Sequence, residues 1–288
     1  MRRVETVRAG EFDLVGTCHE PDDNGPEKPR GIGFLFFNAG HVPREGHAGM
    51  IARIGDELAN LGFPVFRFDL PGLGDSQGDL PVGLDDFFQI VHDGAYSEPA
   101  VALAKEVIAR NGLSGLVLGG LCGGAATALF VADEAPEIVA GLVELEAEFL
   151  KPGSEDPEKL SSKLTSRASW LRLLTGHSRY RIGKLLPRGL LLRLFGRRLL
   201  PKRTNMRLVN IWQRIVEVEL PVMVIMAGGR VRETFYDEVK QVLFGKADCP
   251  SVTVLSVPHT NHIFTTGNAP RLILRGVTDW ATNHFARQ

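Results

Sequence analysis

The stretch that decides the fold runs from Leu113 to Phe130 and reads LSGLVLGGLCGGAATALF. Its first half holds the apolar run 116–119, which predicts a buried strand. Its second half opens the segment 125–132, which is rich in small residues and predicts a helix. Between the two lies Gly120-Leu121-Cys122-Gly123-Gly124. The stretch therefore predicts a sharp turn from strand to helix with a cysteine at its centre.

This layout resembles the nucleophile elbow of α/β-hydrolases, where the turn lifts the central side chain above the carboxyl edge of the sheet. A Cβ atom at Gly120 or Gly124 would meet the neighbouring strand or helix, which explains the glycines. Cys122 would lie at a helix N-terminus, where the dipole and the free amides favour a thiolate. The alternative is that Cys122 is a small buried apolar residue in an ordinary tight turn.

Length and composition limit the possible domain organisation, the possible metal and disulfide sites, and the location of the protein. With 288 residues and 44% apolar content, the chain can form one large α/β domain with an insertion. The three cysteines lie far apart in the sequence, so we expect neither a metal site nor a disulfide framework. No apolar segment predicts a signal peptide or a spanning helix, and we expect a cytoplasmic protein without a cofactor.

The order of apolar runs and helical segments predicts the fold class. Strands and helices alternate through most of the chain, which is typical of a parallel sheet with flanking helices. This pattern predicts a mostly parallel sheet of about eight strands with an antiparallel hairpin at one edge, and the resemblance of the elbow implies that the sheet belongs to an α/β-hydrolase fold. The predicted strands are Val4–Ala9, Phe12–Glu20, Gly31–Phe37, Pro64–Phe68, Leu116–Gly119, Ile138–Leu145, Pro221–Met226 and Ser251–Val257. The predicted helices are Met50–Leu61, Pro99–Asn111, 125–133, Arg232–Phe244 and Ala269–Ala286.

A basic segment interrupts this alternation. Residues 151–214 hold 16 Lys or Arg and three acids, which leaves the remainder of the chain strongly acidic. Their pattern, as in Leu185–Arg198, predicts short amphipathic helices broken by Gly and Pro. We therefore expect residues 1–150 and 215–288 to form the core, and 151–214 to form a helical cap over the site.

Three explanations for the charge of this cap stay open. It could bind an acidic acyl donor, such as one linked to CoA or to a phosphopantetheine carrier; it could rest on an anionic membrane at the inner face; or it could be a solvated face that pairs with the acidic core. A nucleic-acid partner is not expected, because the segment has few aromatic residues and the whole chain has a net charge of −1.

Four further motifs extend the resemblance over nearly the whole chain. They are Phe37-Asn38-Ala39-Gly40, Arg44-Glu45-Gly46-His47, the segment Arg67-Phe68-Asp69-Leu70-Pro71-Gly72-Leu73-Gly74-Asp75-Ser76, and His259-Thr260-Asn261-His262. Together with the elbow they are similar to bacterial α/β-hydrolases of the exosortase A-associated and serine-aminopeptidase-like (S33) kind. An elbow cysteine is also found in the dienelactone hydrolase family, which is a likeness of chemistry more than of sequence.

The resemblance implies a base and an oxyanion hole. The base of this fold lies in the loop after the last strand, which selects His262, with His259 as the second choice. One oxyanion donor is the amide of Gly123, and the other is the amide of Ala39 or Gly40. His41, Arg44 and His47 follow the third strand and are candidates for substrate contact, although the histidines could equally be structural.

The triad acid is the point where the sequence departs from the family. The family places an Asp after the strand Pro221–Met226, but this chain has Arg230 there. The candidates are Glu146, which follows the preceding strand, and Glu233, which lies slightly later than the usual position. We rank Glu146 first. A third alternative is a Cys–His dyad that needs no acid, because a thiol is much more acidic than a serine hydroxyl.

These residues predict attack of Cys122 on the carbonyl of a small-molecule acyl substrate. Because the intermediate is an acyl-cysteine, we expect cleavage of esters or thioesters, or acyl transfer, and not peptide cleavage. A second hypothesis is a catalytically degenerate hydrolase-fold protein that binds an acyl or lipid-like ligand, or a partner enzyme, through its basic cap.

Overall fold

The computed structural model describes residues 1–21, 31–80, 83–151, 203–228 and 249–286. These residues form one sheet of eight strands, as the sequence predicts. The strands are β1 (Arg2–Ala9), β2 (Phe12–His19), β3 (Ile32–Phe37), β4 (Val65–Phe68), β5 (Gly115–Leu121), β6 (Val139–Leu145), β7 (Val222–Gly228) and β8 (Val252–Pro258).

The sheet is mostly parallel, with one antiparallel edge. Its order is β1-β2-β4-β3-β5-β6-β7-β8. β1 and β2 form the predicted hairpin, β2 pairs antiparallel with β4, and every later pairing is parallel. The strand that carries the elbow, β5, therefore lies in the interior of the sheet between β3 and β6, so the loops after these three strands meet at one edge.

Helices cover both faces of the sheet. The described ones are α1 (Met50–Asn60), α2 (Leu84–Asp93), α3 (Ser97–Asn111), α4 (Gly123–Glu134), α5 (Met206–Glu217) and α6 (Ala269–Phe285), with 3₁₀ turns at His47–Gly49 and Pro136–Ile138. Buried side chains of α1 and α6 form the core on one face, and those of α2 to α5 form the core on the other. In the part of the chain that the structure describes, none of the helices has the length and apolar character needed to cross a membrane.

The sequence patterns do not predict two of these helices. The segment of α2 carries no helix prediction, and α5 begins inside residues 151–214, which are predicted to form the cap. The apolar side of α5, with Leu208, Ile211 and Trp212, is buried in the core beside α4. Residues 152–202 and the predicted helix Arg232–Phe244 lie outside the described residues, so the cap stays a prediction.

The carboxylate of Asp69 connects the loop after β4 to the loop after β3 at the edge of the sheet. Asp69 follows β4 and is fully buried. Its Oδ1 accepts hydrogen bonds from Asn38 Nδ2 (2.8 Å) and from the amide of Arg44 (2.7 Å). Its Oδ2 pairs with the Arg44 guanidinium, which also reaches Asp75 (2.9 Å). Since Asn38 and Arg44 belong to the loop after β3, the charge of Asp69 fixes this loop.

Replacing Asp69 by Asn should destabilise the fold strongly. The neutral side chain would leave the Arg44 charge without its buried counter-ion and would turn an NH₂ group toward other donors. We expect Asp69→Asn to lower the free energy of unfolding by about 3–5 kcal/mol, measured in urea. The matched control is Asp75→Asn, which removes the partner that is 69% exposed and should cost less than about 1 kcal/mol. Equal losses would contradict the assigned role of Asp69.

Glu144 is a carboxyl group that is buried in the core. It lies in β6 opposite Gly120 and Val224, and its side chain is fully buried. Among the described residues, neither of its oxygens has a hydrogen-bond partner. Burial therefore raises the pKa of Glu144 well above its usual value, because the charged form would lose its hydration without compensation. Burial therefore favours the protonated, neutral form of this side chain in the folded protein.

The stability of the protein should therefore depend on pH through Glu144. In the unfolded chain a glutamate releases its proton near pH 4.3, whereas the folded chain retains it. Each pH unit above that point costs about 1.4 kcal/mol of stability until the folded pKa is reached. Glu144→Gln should remove this loss, so its stabilising effect should grow as the pH rises above about 4.3.

Urea unfolding of both proteins at several pH values tests this expectation. Glu137→Gln is the control, because Glu137 is exposed and pairs only weakly, with Lys105 at 3.6 Å. This control should change the stability by less than about 0.5 kcal/mol at any pH. A Glu144→Gln gain that does not grow with pH would show that Glu144 is not held neutral.

Candidate active site

The backbone of Cys122 adopts the strained turn that the elbow pattern predicts. Cys122 lies directly between β5 and α4, with φ 53° and ψ −105°, a conformation that L-residues rarely adopt. Its amide donates to the carbonyl of Leu145 (2.9 Å), and its carbonyl accepts from the amide of Ala126 (3.1 Å). These two bonds hold the turn from both sides and leave the side chain at the carboxyl edge, half-buried.

Two glycines make this turn possible, as predicted. A Cβ atom at Gly120 would lie 2.6 Å from the carbonyl carbon of Gly124, and one at Gly124 would lie 2.6 Å from the carbonyl oxygen of Phe37. Real Cβ atoms do not approach other atoms so closely. Any larger residue would therefore push α4 away from β3 and β5, and with it the side chain of Cys122.

The side chain of His262 lies next to that of Cys122 at the edge of the sheet. It belongs to the loop between β8 and α6, and its Nδ1 lies 2.8 Å from Oε2 of Glu146. Burial lowers the pKa of His262, but hydrogen bonds to Cys122 and Glu146 and the negative charges of both residues raise it to about 9. The imidazole therefore holds its proton at neutral pH, between a sulfur atom and a carboxylate.

Glu146 holds His262 from the strand next to the elbow. It directly follows β6, is almost completely buried and has a φ of 49°. Its Oε1 accepts a hydrogen bond from the amide of Ala227, and its own amide donates to the carbonyl of Ile225 (2.8 Å). Both partners belong to β7, so this strand fixes the carboxylate. Glu233, the other candidate acid, lies outside the described residues.

The loop after β3 brings a backbone amide to the elbow. A Cβ atom at Gly123 would lie 3.3 Å from the nitrogen of Gly40, so the two residues are in direct contact. Among the described residues, neither of these two amides has a hydrogen-bond acceptor. Ala39 instead turns its side chain into the core. Of the two candidates for the second oxyanion donor, the geometry thus favours Gly40.

Helix α2 covers this amide pair with apolar side chains. An added Cβ atom at Gly40 would lie 3.3 Å from the ring of Phe88, and one at Gly123 would lie 3.3 Å from Val91. Phe87 packs edge-to-face on Phe88. The apolar positions of α2 have helical spacing in the sequence, but no motif marks them, and their place beside the elbow was not predicted.

The three predicted substrate contacts lie in different surroundings. His41 is exposed and faces the ring of Phe87, whereas His47 is half-buried near His262. Arg44 points inward to Asp69, so its described contacts are structural. His259, the second choice of base, is exposed. The roles of His41, Arg44 and His47 in binding stay predictions.

The arrangement is chemically that of a nucleophile, a base and an acid in one hydrogen-bonded row, with two amides beside the nucleophile. A substrate carbonyl next to the sulfur would have donors for a developing negative charge. In the described part of the chain, no group of three or more His, Cys, Asp or Glu side chains is arranged to hold a metal ion.

Comparisons with known proteins agree with this architecture. The family model of the serine aminopeptidases, S33, matches residues 44–184, which is just under half of the chain. The matched segment contains the D-x-x-G-x-G-x-S stretch, the elbow and Glu146. No curated protein matches the chain.

Solved structures match over nearly the whole length. Dienelactone hydrolase from Anabaena variabilis has a TM-score of 0.58 at 14% identity, covering 99% of this chain and 98% of that chain. Est1E from Butyrivibrio proteoclasticus, solved with ferulic acid bound, has a TM-score of 0.59 at 12% identity, covering 98% and 100%. Proline iminopeptidase from Mycobacterium smegmatis has a TM-score of 0.56 at 16% identity, covering 98% of each chain. The chain therefore has the α/β-hydrolase fold, and its central segment matches the S33 serine aminopeptidase model.

Proposed function

We propose that this protein is an ester or thioester hydrolase that forms an acyl-enzyme on Cys122. This proposal rests on one observation, the hydrogen-bonded row of Glu146, His262 and Cys122. The three residues follow β6, β8 and β5 and lie at one edge of the sheet. A histidine beside a thiol can take its proton and give the thiolate, which is the form of cysteine that attacks carbonyls.

In the first half of the reaction, Sγ of Cys122 attacks the acyl carbonyl and forms a C–S bond. The carbonyl oxygen takes the negative charge and receives hydrogen bonds from the amides of Gly123 and Gly40. When the tetrahedral intermediate collapses, the bond to the leaving oxygen or sulfur breaks, and His262 Nε2 donates its proton to that atom. Glu146 holds the imidazole in this orientation through Nδ1.

In the second half, a nucleophile attacks the thioester of acyl-Cys122. Neutral His262 takes a proton from this nucleophile, the C–S bond breaks, and the thiolate is restored beside the imidazolium. With water the product is a carboxylic acid, and with another alcohol or amine it is a transferred acyl group. Both outcomes use the same residues, so acyl transfer is the natural variant of the proposed hydrolysis.

The nature of the nucleophile and its surroundings support an apolar acyl group on an ester or thioester. Thiolates attack thioesters and activated esters more readily than amides. The ring of half-buried Phe88 lies beside Gly40, is backed by the buried ring of Phe87, and forms an apolar wall for the acyl chain. Est1E, which has the same fold, was solved with the aromatic acid ferulic acid bound. The basic segment 151–214 agrees with a CoA-linked or carrier-linked acyl donor.

The second hypothesis is a degenerate hydrolase that binds an acyl or lipid-like ligand or a partner enzyme. Two features of the sequence motivate it: Arg230 stands where the family has its acid, and the elbow has a cysteine where the family has a serine. The contact of Glu146 with His262 supplies a carboxylate from the neighbouring strand. This contact supports catalysis over binding alone, and the experiment below distinguishes the two.

The test is mass spectrometry of the intact protein after mixing with acyl-CoA thioesters and activated esters. We expect an acyl adduct on Cys122 that disappears with time, and no adduct in Cys122→Ala. Cys18 is the control thiol, because it is buried and burial raises its pKa to about 11. If no donor modified Cys122 while the protein bound acyl ligands tightly, the binding hypothesis would replace the enzymatic one.

The pH dependence of His262 gives a second test. Because Cys122 and Glu146 raise its pKa, the imidazolium should persist through neutral pH and lose its proton as the pH rises through about 9. Both Cys122→Ala and Glu146→Gln should lower this midpoint, measured by NMR of the histidine ring. A midpoint that is unchanged in both variants would contradict the row of three residues.

Glu146→Gln should also slow acylation by about 10²-fold or more, because the amide cannot stabilise the imidazolium. The matched variant Glu148→Gln changes a carboxylate two residues away, whose Oε1 accepts from the amide of Leu150 (3.2 Å). We expect its acylation rate to stay within about twofold of the wild type. Similar effects of the two variants would show that Glu146 is not the triad acid.

A further inference from the structure

His47 lies in a segment that packs beside the proposed catalytic residues. The residues that follow His47, Met50 and Ile51, are buried in one apolar cluster with Phe264, which follows His262. Cys122 packs against the same cluster. The beginning of α1 and the loop of His262 therefore pack into the same apolar core, and His47 is close enough to His262 for the two imidazoles to interact electrostatically.

The backbone that carries His47 is held in an unusual conformation. Ala48 has φ 50° and ψ 30°, in the left-handed region, although it is not a glycine. Gly46 has φ 71°, and a Cβ atom there would lie 2.6 Å from Cγ1 of Ile51. The carbonyl of Arg44 accepts a hydrogen bond from the buried Arg67 (2.9 Å). Strained backbone of this kind persists only where the surrounding structure fixes it, and it is common at functional sites.

The imidazole of His47 makes no hydrogen bond to another described residue, and its side chain is half-buried. Partial burial lowers its pKa, and the nearby His262 and His41 lower it further. At neutral pH the ring is thus uncharged and offers one N–H donor and one nitrogen acceptor. A fixed, half-buried imidazole with both functions unused is suited to a ligand.

The chemistry of the proposed reaction decides which part of a substrate reaches this ring. His262 must protonate the leaving atom, so the leaving group must lie on the side of His262. The apolar wall formed by Phe88 lies beside Gly40 and is suited to the acyl group. His47 neighbours His262 and therefore belongs to the leaving-group side.

We infer that His47 is a specificity-determining residue that hydrogen-bonds a hydroxyl or similar polar group on the leaving group of the substrate. This inference rests on the proposed function. The substrate class is an ester or thioester of an apolar acid, whose leaving group carries a hydrogen-bonding group close to the scissile bond.

The experiment compares two esters of one acid, the 2-hydroxyethyl ester and the n-propyl ester, which differ mainly in a hydroxyl group. Rapid mixing and intact-mass detection give the acylation and deacylation rates of Cys122 separately. We expect His47→Leu to slow acylation from the hydroxyethyl ester by about fivefold to tenfold relative to the propyl ester, as loss of one neutral hydrogen bond does. The deacylation rate should not change, because the leaving group has departed by then.

His47→Gln serves as the conservative variant, since its amide offers both a donor and an acceptor. It should recover most of the preference for the hydroxyethyl ester. Equal slowing of both esters, or a slower deacylation, would overturn the inference and assign His47 a purely structural role. If the wild type formed no adduct with either ester or with activated donors, the proposed function itself would fail.

Discussion

The strained backbone of Cys122 is the constraint on which the rest of the site depends. A non-glycine residue at φ 53° costs about 1–3 kcal/mol, which packing around the turn must offset. Gly120 and Gly124 allow β5, α4 and the end of β3 to approach closely enough for this. The same close approach brings the amide of Gly40 against Gly123. One steric arrangement therefore exposes the side chain of Cys122, the proposed nucleophile, and places the amides of the two proposed oxyanion donors beside it.

Two buried carboxylates, Asp69 and Glu146, fix the remaining parts of the site through hydrogen bonds. Buried Asp69 binds both Asn38 and Arg44 and so fixes the loop that ends in the Gly40 amide. Glu146 is held by β7 and in turn holds His262. The proposed acid thus follows β6, whereas the family places it after β7. The proposed chemistry needs only the contact of this acid with the imidazole, because the acid acts by orienting and stabilising the imidazolium.

The sequence predicted those parts of the fold that short-range patterns determine. The strand, glycine turn and helix around Cys122 follow from local apolar runs and steric need, and the parallel sheet follows from their alternation. The choice between Glu146 and Glu233 could be ranked but not decided, because it depends on how β6, β7 and the His262 loop meet in space. Helix α2 carries no motif, so its place over Gly40 became visible only in the structure.

The most direct test of the account is a crystal structure of the acyl-enzyme, obtained by treating His262→Ala, in which deacylation should be slow, with an activated thioester. The account predicts an acyl group on Sγ of Cys122, with its carbonyl oxygen about 2.7–3.1 Å from the amides of Gly123 and Gly40 and its chain along Phe88. An acyl group on another residue, or a carbonyl oxygen turned away from both amides, would contradict the central claim that the elbow and the β3 loop form one catalytic site.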